Sequence, residues 1–211
     1  MANVLRHVVG DRTTCLTHVS LSWHGEFWPF RHPLDYVGSD GGGGVGGGPG
    51  ISVGAALALK GTGRMAIAVC GDGDFMMATG AIWSAVHYRV PALMVINNNT
   101  SWYNDEELQF KIAKARGRPE ENAYIGTTTR DPDVDIVKVS EGYGASAERV
   151  VDPGKLAGAF KRAVKVVEDG GVEVRRVVAP EGEDVVAVGV LRHGPSLPVS
   201  ARSPSGARSI R

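Results

Sequence analysis

Oxygen-bearing side chains follow two apolar runs of the sequence, at the point where each run ends. Asp72 stands in the turn Gly71-Asp72-Gly73, directly after the run 65–70, and Asn99 closes a group of three asparagines after the run 92–96. Carboxylate and amide oxygens suit Mg²⁺, which often shares its coordination shell with substrate phosphates. Glycines beside the carboxylate let backbone N–H groups approach a phosphate. The pattern predicts a joint site for Mg²⁺ and a diphosphate; the alternative is an ordinary turn and an ordinary strand end.

Strand and helix signals place these side chains at one edge of a sheet. The runs 65–70 and 92–96 are short and apolar and indicate buried strands, and the segment Phe75–Tyr88 between them indicates a helix. Strand, helix and strand form one βαβ unit, which predicts an α/β fold with an open, mostly parallel sheet. Ligands of such sheets bind outside the carboxyl ends of the strands.

A glycine-rich stretch precedes this unit. Eight of the ten residues at 41–50 are glycine, and a helix rich in small residues is expected at 51–60. A glycine loop that runs into a helix N-terminus is an anion-binding arrangement, whereas a pure linker of this composition would be flexible coil. The stretch satisfies GxGxxG, but any glycine run does. No acidic residue follows in the context that a nicotinamide dinucleotide site needs, and the Walker pattern is absent.

The turn Gly71-Asp72-Gly73, with Asn98-Asn99 following at the family's separation, resembles the motif of thiamine diphosphate (ThDP)-dependent decarboxylases and carboligases. Acetolactate synthase and benzoylformate decarboxylase are of this kind. The resemblance runs from about residue 23 to about residue 168 and covers their C-terminal diphosphate-binding domain. It implies helices on both faces of the sheet. It also implies three Mg²⁺ ligands: Asp72, the side chain of Asn99 and the backbone carbonyl of Ser101.

The resemblance also implies a set of residues around the cofactor. The backbone at Gly73 and Asp74 falls where the family meets the diphosphate, and the glycine loop falls at the pyrimidine end, with Val45 supporting the bent cofactor. Trp102 and Tyr103 would close the site from water; ordinary helix packing is their alternative role. The expected cofactor-binding residues are Val45, Gly46, Gly47, Gly48, Gly71, Asp72, Gly73, Asp74, Asn99, Ser101, Trp102 and Tyr103.

A loop rich in aromatic residues, 22–30, falls where the resembling enzymes often carry a variable active-site loop. His24 is its candidate for a catalytic or substrate-contacting role, with Glu26 as the second titratable side chain. The alternative is that the loop packs through its aromatic side chains. The sequence assigns no other catalytic residue.

Composition restricts the partners and the location. The chain has 211 residues, room for one domain, and its 23 basic residues equal its 23 acidic residues. Zero net charge gives no electrostatic case for binding nucleic acid or an anionic membrane. No apolar stretch is long enough to span a bilayer and no signal core is present, so we expect a cytoplasmic protein. Cys15 and Cys70 show no metal-type spacing, and Cys70 is expected to pack as a small hydrophobic residue.

The remaining segments complete the predicted domain. Residues 1–22 are a lead-in, in which 1–9 form a strand or a frayed start and 17–22 a short strand. Residues 23–180 form the domain that binds the diphosphate and Mg²⁺, and 181–211 are expected to be a disordered tail, which could arise from read-through or a frame shift. Within the domain we expect helices near 105–116, 133–143 and 152–168, and strands at 145–150 and 172–178, the last alternating between buried and exposed positions.

Three functions are compatible with these observations. ThDP enzymes need a second, pyrimidine-binding domain that supplies a glutamate, and a chain of this length has no room for it, so little or no turnover is expected from the chain alone. The first hypothesis is the diphosphate-binding part of a 2-keto acid decarboxylase or carboligase. It would work with a pyrimidine-binding domain on another chain or be truncated from a longer one, and a homo-oligomer is compatible with either. The second is a non-catalytic remnant or binding module. The third is another enzyme that binds nucleotide phosphates through the glycine loop.

Overall fold

The computed structural model describes residues 1–38 and 45–178. The expected tail at 181–211 and the first four glycines of the stretch 41–50 lie outside the described residues. The helices are α1 (Ala2–Val9), α2 (Gly48–Ala58), α3 (Asp72–Met77), α4 (Gly80–His87), α5 (Tyr103–Ala115), α6 (Ile136–Gly142) and α7 (Leu156–Glu168). The strands are β1 (Thr14–His18), β2 (Met65–Gly71), β3 (Ala92–Asn98), β4 (Ser146–Val150) and β5 (Val172–Val178).

All strand pairings of the sheet are parallel, and the strand order is β1-β2-β3-β5-β4. Gly71 of β2 is level with Asn97 of β3, so these two strands end side by side. His18, the last residue of β1, pairs with Ala68 of β2. The carboxyl ends of β2 and β3 therefore meet at one edge of the sheet, as the sequence predicted, and the end of β1 lies at the same edge.

Apolar layers cover both faces of the sheet, which confirms the predicted α/β class. On one face α1 and α7 pack through side chains such as Leu5 and Phe160. On the other face α2, α3, α4 and α6 pack through side chains such as Phe75, Ile82 and Ile136. Successive residues of β2 alternate between these two layers because side chains of a strand point to opposite faces. No helix among residues 1–38 and 45–178 has the length and apolar character that a bilayer span requires.

Three local predictions are wrong. Residues 2–9 form helix α1, because Ala2, Leu5 and Val9 share one helical face and are buried against α7. The first strand covers Thr14–His18 and not 17–22. The predicted helix 75–88 consists of the two helices α3 and α4, which are separated at Ala78, whose ψ of 37° is not helical.

Strand β5 lies where the sequence predicted it, but it does not alternate between buried and exposed positions. Glu173, Arg175 and Arg176 are each at most 3% exposed. Because β5 lies between β3 and β4 under cover on both faces, these charges need partners. Arg175 lies 2.8 Å from a carboxylate oxygen of Glu173 and 2.7 Å from one of Glu148, and Arg176 lies 3.0 Å from Asp133. The prediction assumed that water would solvate these charges, but in the structure oppositely charged side chains compensate them.

Candidate functional site

Asp72 is the first residue of α3 and projects from the end of β2 into the protein, where it is 1% exposed. Its Oδ2 accepts a hydrogen bond of 2.9 Å from the Thr129 hydroxyl. Its Oδ1 is buried and has no aligned hydrogen bond from the described residues. Burial raises the pKa of Asp72 above its ordinary value, and the Thr129 hydroxyl and nearby backbone N–H groups only partly offset this effect. A buried carboxylate oxygen without an aligned donor fits a bound cation.

Asn99 and Ser101, the other two predicted Mg²⁺ ligands, lie in the turn that follows β3. Asn99 is exposed, and its Oδ1 lies 3.2 Å from the backbone N–H of Ser101, which donates to it. Ser101 is buried, and its single hydroxyl hydrogen faces two acceptors, a carboxylate oxygen of Glu106 and the more distant carbonyl oxygen of Thr127 at 3.2 Å. The structure thus brings Asp72, Asn99 and Ser101 to neighbouring strand ends, as predicted; their role as ligands stays a prediction.

The segment Thr127–Thr129 contacts both Asp72 and the turn that carries Ser101. Ser101 forms an antiparallel bridge with Thr128, and the backbone N–H of Trp102 donates to the carbonyl of Thr127 over 2.8 Å. Thr129 is the residue whose hydroxyl reaches Asp72. No sequence pattern indicates a role for this segment, because it lies in an irregular loop whose path only the tertiary structure determines.

Asn98 and Arg176 form a second support for Asp72. With the Asn98 amide oriented to satisfy its neighbours, its nitrogen donates to Asp72 Oδ2 over 3.0 Å. Its oxygen then accepts hydrogen bonds of 2.9 and 2.6 Å from the Arg176 guanidinium. Asn98 belongs to the sequence motif Asn98-Asn99, so the sequence could have indicated a role for it. No sequence pattern indicates the contact that Arg176 makes with Asn98.

Asp74 binds the glycine loop through its side chain. Its Oδ1 accepts hydrogen bonds from the backbone N–H groups of Gly46, at 2.6 Å, and Gly48, at 3.3 Å. A Cβ at Gly48 would overlap the other carboxylate oxygen, so the close approach requires glycine there. Burial opposes ionisation of Asp74, but His18 and these amides outweigh it, and the pKa of Asp74 lies below its ordinary value. The anion expected at the N-terminus of α2 is therefore supplied by the chain itself.

Trp102 covers the glycine turn. A Cβ built on Gly73 would collide with the indole ring of Trp102, so the ring lies directly against the backbone there. Tyr103 is exposed and begins α5, a helix without a buried residue. Val45 is also exposed. The contact between Trp102 and Gly73 is compatible with both roles considered for Trp102, and closure of the site from water stays a prediction.

His24 lies in the aromatic loop, next to a short 3-10 helix at Gly25–Phe27. Its ring meets Phe27 edge-on with centroids 5.3 Å apart, and Phe27 in turn meets Trp23 at 5.8 Å. These contacts agree with the packing alternative for the loop. A catalytic role for His24 remains a prediction.

Comparison with known proteins identifies this arrangement. A family model described as "Thiamine pyrophosphate enzyme, C-terminal TPP binding domain" matches residues 19–174. The chain belongs to this family. The resemblance stated from Gly71-Asp72-Gly73 and Asn98-Asn99 is thereby confirmed, and the chain is a ThDP-binding domain of the acetolactate synthase and decarboxylase type.

The family assignment agrees with individual relatives. Acetolactate synthase of Bacillus subtilis is 25% identical over 163 residues, 76% of this chain and 26% of that protein. Benzoylformate decarboxylase of Pseudomonas aeruginosa is 30% identical over 141 residues, 65% of this chain and 24% of that protein. The ThDP-dependent 4-hydroxybenzoylformate decarboxylase of Rhodococcus jostii RHA1 superposes with a TM-score of 0.68 at 26% identity, over 84% of this chain and 31% of that one. This chain therefore spans between 24% and 31% of the length of these three proteins.

Proposed function

We propose that this ThDP-binding domain holds the cofactor through Mg²⁺, as the diphosphate-binding part of a 2-keto acid decarboxylase or carboligase. The observation that carries the proposal is the Asp72 carboxylate, which is buried at the strand ends with Oδ1 lacking an aligned donor from the described residues. A buried carboxylate charge is costly unless it is compensated, and a divalent cation would compensate it.

The surrounding donors fit Mg²⁺ better than a softer metal. Asp72, the Asn99 side chain and the Ser101 carbonyl offer only oxygen, which is what Mg²⁺ prefers. Thr129 and Asn98 both donate to Asp72 Oδ2, so the orientation of the carboxylate is fixed and Oδ1 stays available. The Asp72 carboxylate would therefore already have the orientation needed to bind the metal.

The chain's own residues would bind and orient the cofactor rather than transform it. Backbone N–H groups at Gly73 and Asp74 would meet the diphosphate, and Trp102 against Gly73 would exclude water. Asp74 fixes the glycine loop beside the same turn. When bound, the ThDP thiazolium supplies the carbanion stabilisation that 2-keto acid chemistry requires.

A complete active site needs further protein in this proposal. The pyrimidine-binding domain, with its glutamate, would come from another chain or from a longer form of this one, and a homo-oligomer is compatible with either. Its relatives are three to four times longer than the matched segment, which supports this expectation. The 2-keto acid substrate and a cytoplasmic location are likewise part of the proposal.

The glycine-loop hypothesis has less support. A nucleotide phosphate bound there would need the N–H groups of Gly46 and Gly48, which already donate to Asp74. A phosphate would have to displace a carboxylate of the same charge sign. No particular observation favours the non-catalytic remnant, which instead is one outcome of the experiment below.

Calorimetric titration of the full chain with ThDP, with and without Mg²⁺, tests the proposal. We expect binding that requires Mg²⁺ and is abolished in Asp72→Asn, a variant that keeps the shape of the side chain but removes its charge. Asp11→Asn, which changes an exposed carboxylate, is the matched control and should bind normally. Absence of binding to a well-folded wild-type chain at millimolar ThDP would reject the proposal and favour the remnant. Binding of ATP or NAD in its place would favour the third hypothesis.

A further inference from the structure

Three side chains of different donor type converge beside the predicted cofactor site. His18 ends β1, Cys70 lies near the end of β2, and Asp74 lies on α3. One donor atom of each, a ring nitrogen, a sulfur and a carboxylate oxygen, lies within 4.8 Å of the other two. His18 is far from Cys70 and Asp74 in the sequence, and the parallel pairing of β1 with β2 brings it close to them.

The Asp74 carboxylate is oriented toward this cluster. Gly46 and Gly48 hold Oδ1 through their backbone N–H groups. The second oxygen, Oδ2, is a buried atom that receives no aligned hydrogen bond from the described residues, although His18 Nε2 lies 3.2 Å away. A carboxylate with one oxygen held by backbone donors and the other facing a second possible ligand, here His18, is an arrangement that suits a metal ligand with an outer shell.

The cluster is enclosed and its charges can balance. Cys70 is fully buried and His18 is 8% exposed, so bulk water does not solvate a charge there. A thiolate, a carboxylate and a neutral imidazole together carry two negative charges, which a divalent cation neutralises.

We propose that His18, Cys70 and Asp74 form a binding site for a borderline-soft divalent transition-metal ion, with Zn²⁺ as the type. Sulfur and imidazole nitrogen favour such an ion over Mg²⁺, which takes oxygen ligands. The site is distinct from the oxygen donors at Asp72, whose carboxylate is held by Thr129 and Asn98 instead. Three protein ligands leave one position of a tetrahedral shell for water or another ligand. A bound ion would connect β1, β2 and, through Asp74, the glycine loop.

Cobalt(II) absorption spectroscopy of the full chain tests this site, because Co²⁺ replaces Zn²⁺ and reports its ligands. After chelator treatment and reduction, we expect one equivalent of Co²⁺ to give the visible bands of a tetrahedral ion and a sulfur-to-cobalt charge-transfer band. Zn²⁺ should remove both and excess Mg²⁺ should remove neither. X-ray absorption of the zinc-loaded wild type should show one sulfur ligand.

Matched variants assign the ligands. Cys70→Ser should lose the charge-transfer band and weaken Co²⁺ binding by more than about 10-fold, since even outer-shell changes act on that scale. Cys15→Ser, which alters the other buried cysteine, and Asp72→Asn should keep the band. If the wild type gives no charge-transfer band, or if the band survives in Cys70→Ser, the proposal is rejected and the cluster is a His18–Asp74 ion pair beside a thiol. If Cys70→Ser does not fold, Cys15→Ser decides between the two cysteines, because the band is retained there if Cys70 is the ligand and lost if Cys15 is.

Discussion

The Thr129 hydroxyl donates a 2.9 Å hydrogen bond to Asp72 Oδ2 across 57 positions of the chain. Both side chains are buried, and the same segment that carries Thr129 also forms the backbone bridge to Ser101. A loop without regular structure therefore fixes two of the three proposed Mg²⁺ ligands. The geometry of the proposed site depends on residues 127–129 as well as on the sequence motif.

Thr129→Val should weaken this arrangement without changing the volume of the side chain. Asp72 Oδ2 would lose one of its donors inside the protein, which costs about 1–3 kcal/mol. The carboxylate would be harder to ionise, so the Mg²⁺-dependent affinity for ThDP should fall several-fold. Urea denaturation and calorimetric titration measure the two effects. Thr127→Val is the control, because its hydroxyl donates to the carbonyl of Tyr124 and not to Asp72. An equal loss of affinity in both variants would contradict the proposed role.

Gly73→Ala should destabilise the protein through a single contact. The new methyl group would collide with the indole of Trp102, and such overpacking costs about 1–3 kcal/mol. Gly71→Ala in the same turn is the matched control, since nothing lies within 4 Å of a Cβ there. Denaturation curves of both variants, and of Gly73→Ala combined with Trp102→Ala, form the test. We expect the double variant to recover part of the loss. No recovery would show that the cost arises from the backbone and not from Trp102.

The sequence was sufficient for the parts of the fold that depend on local pattern. The apolar runs 65–70 and 92–96 predicted β2 and β3, and the turn at Asp72 predicted the edge where the site lies. What it could not predict depends on contacts between distant segments. Thr129 reaches Asp72 from an irregular loop, and His18 reaches Asp74 only because β1 pairs with β2. The charges of β5 were misjudged for the same reason, because their partners lie on other elements.

Asp35 should make a pH-dependent contribution to stability. The backbone N–H of Arg31 and the guanidinium of Arg64 lower the pKa of Asp35 from 3.8 to about 2. Because the folded pKa is the lower one, the contribution is complete above pH 3.8 and is lost as the pH falls from 3.8 to about 2. Asp35→Asn should therefore be less stable than wild type at pH 7, and the difference should shrink through that window. Asp11→Asn, at an exposed carboxylate, is the control. Chemical denaturation at several pH values measures the difference in stability between Asp35→Asn and wild type. A difference that stays constant with pH would contradict the contribution assigned to Asp35.

The buried pair Glu173–Arg175 should show strong non-additivity. Arg175→Leu leaves the Glu173 carboxylate fully buried without its 2.8 Å partner, and breaking such a pair typically costs about 3–5 kcal/mol. Burial already raises the pKa of Glu173 above its ordinary value, so an unpaired Glu173 would take up a proton and limit the loss. Glu173→Leu combined with Arg175→Leu removes both charges and should recover most of the stability, because two apolar side chains suit a strand that is covered on both faces.

Denaturation of the wild type, the two single variants and the double variant completes the cycle. The sum of the two single effects should exceed the effect in the double variant. Simple additivity would mean that Arg175 is stabilised through Glu148 alone and that the contact with Glu173 contributes nothing.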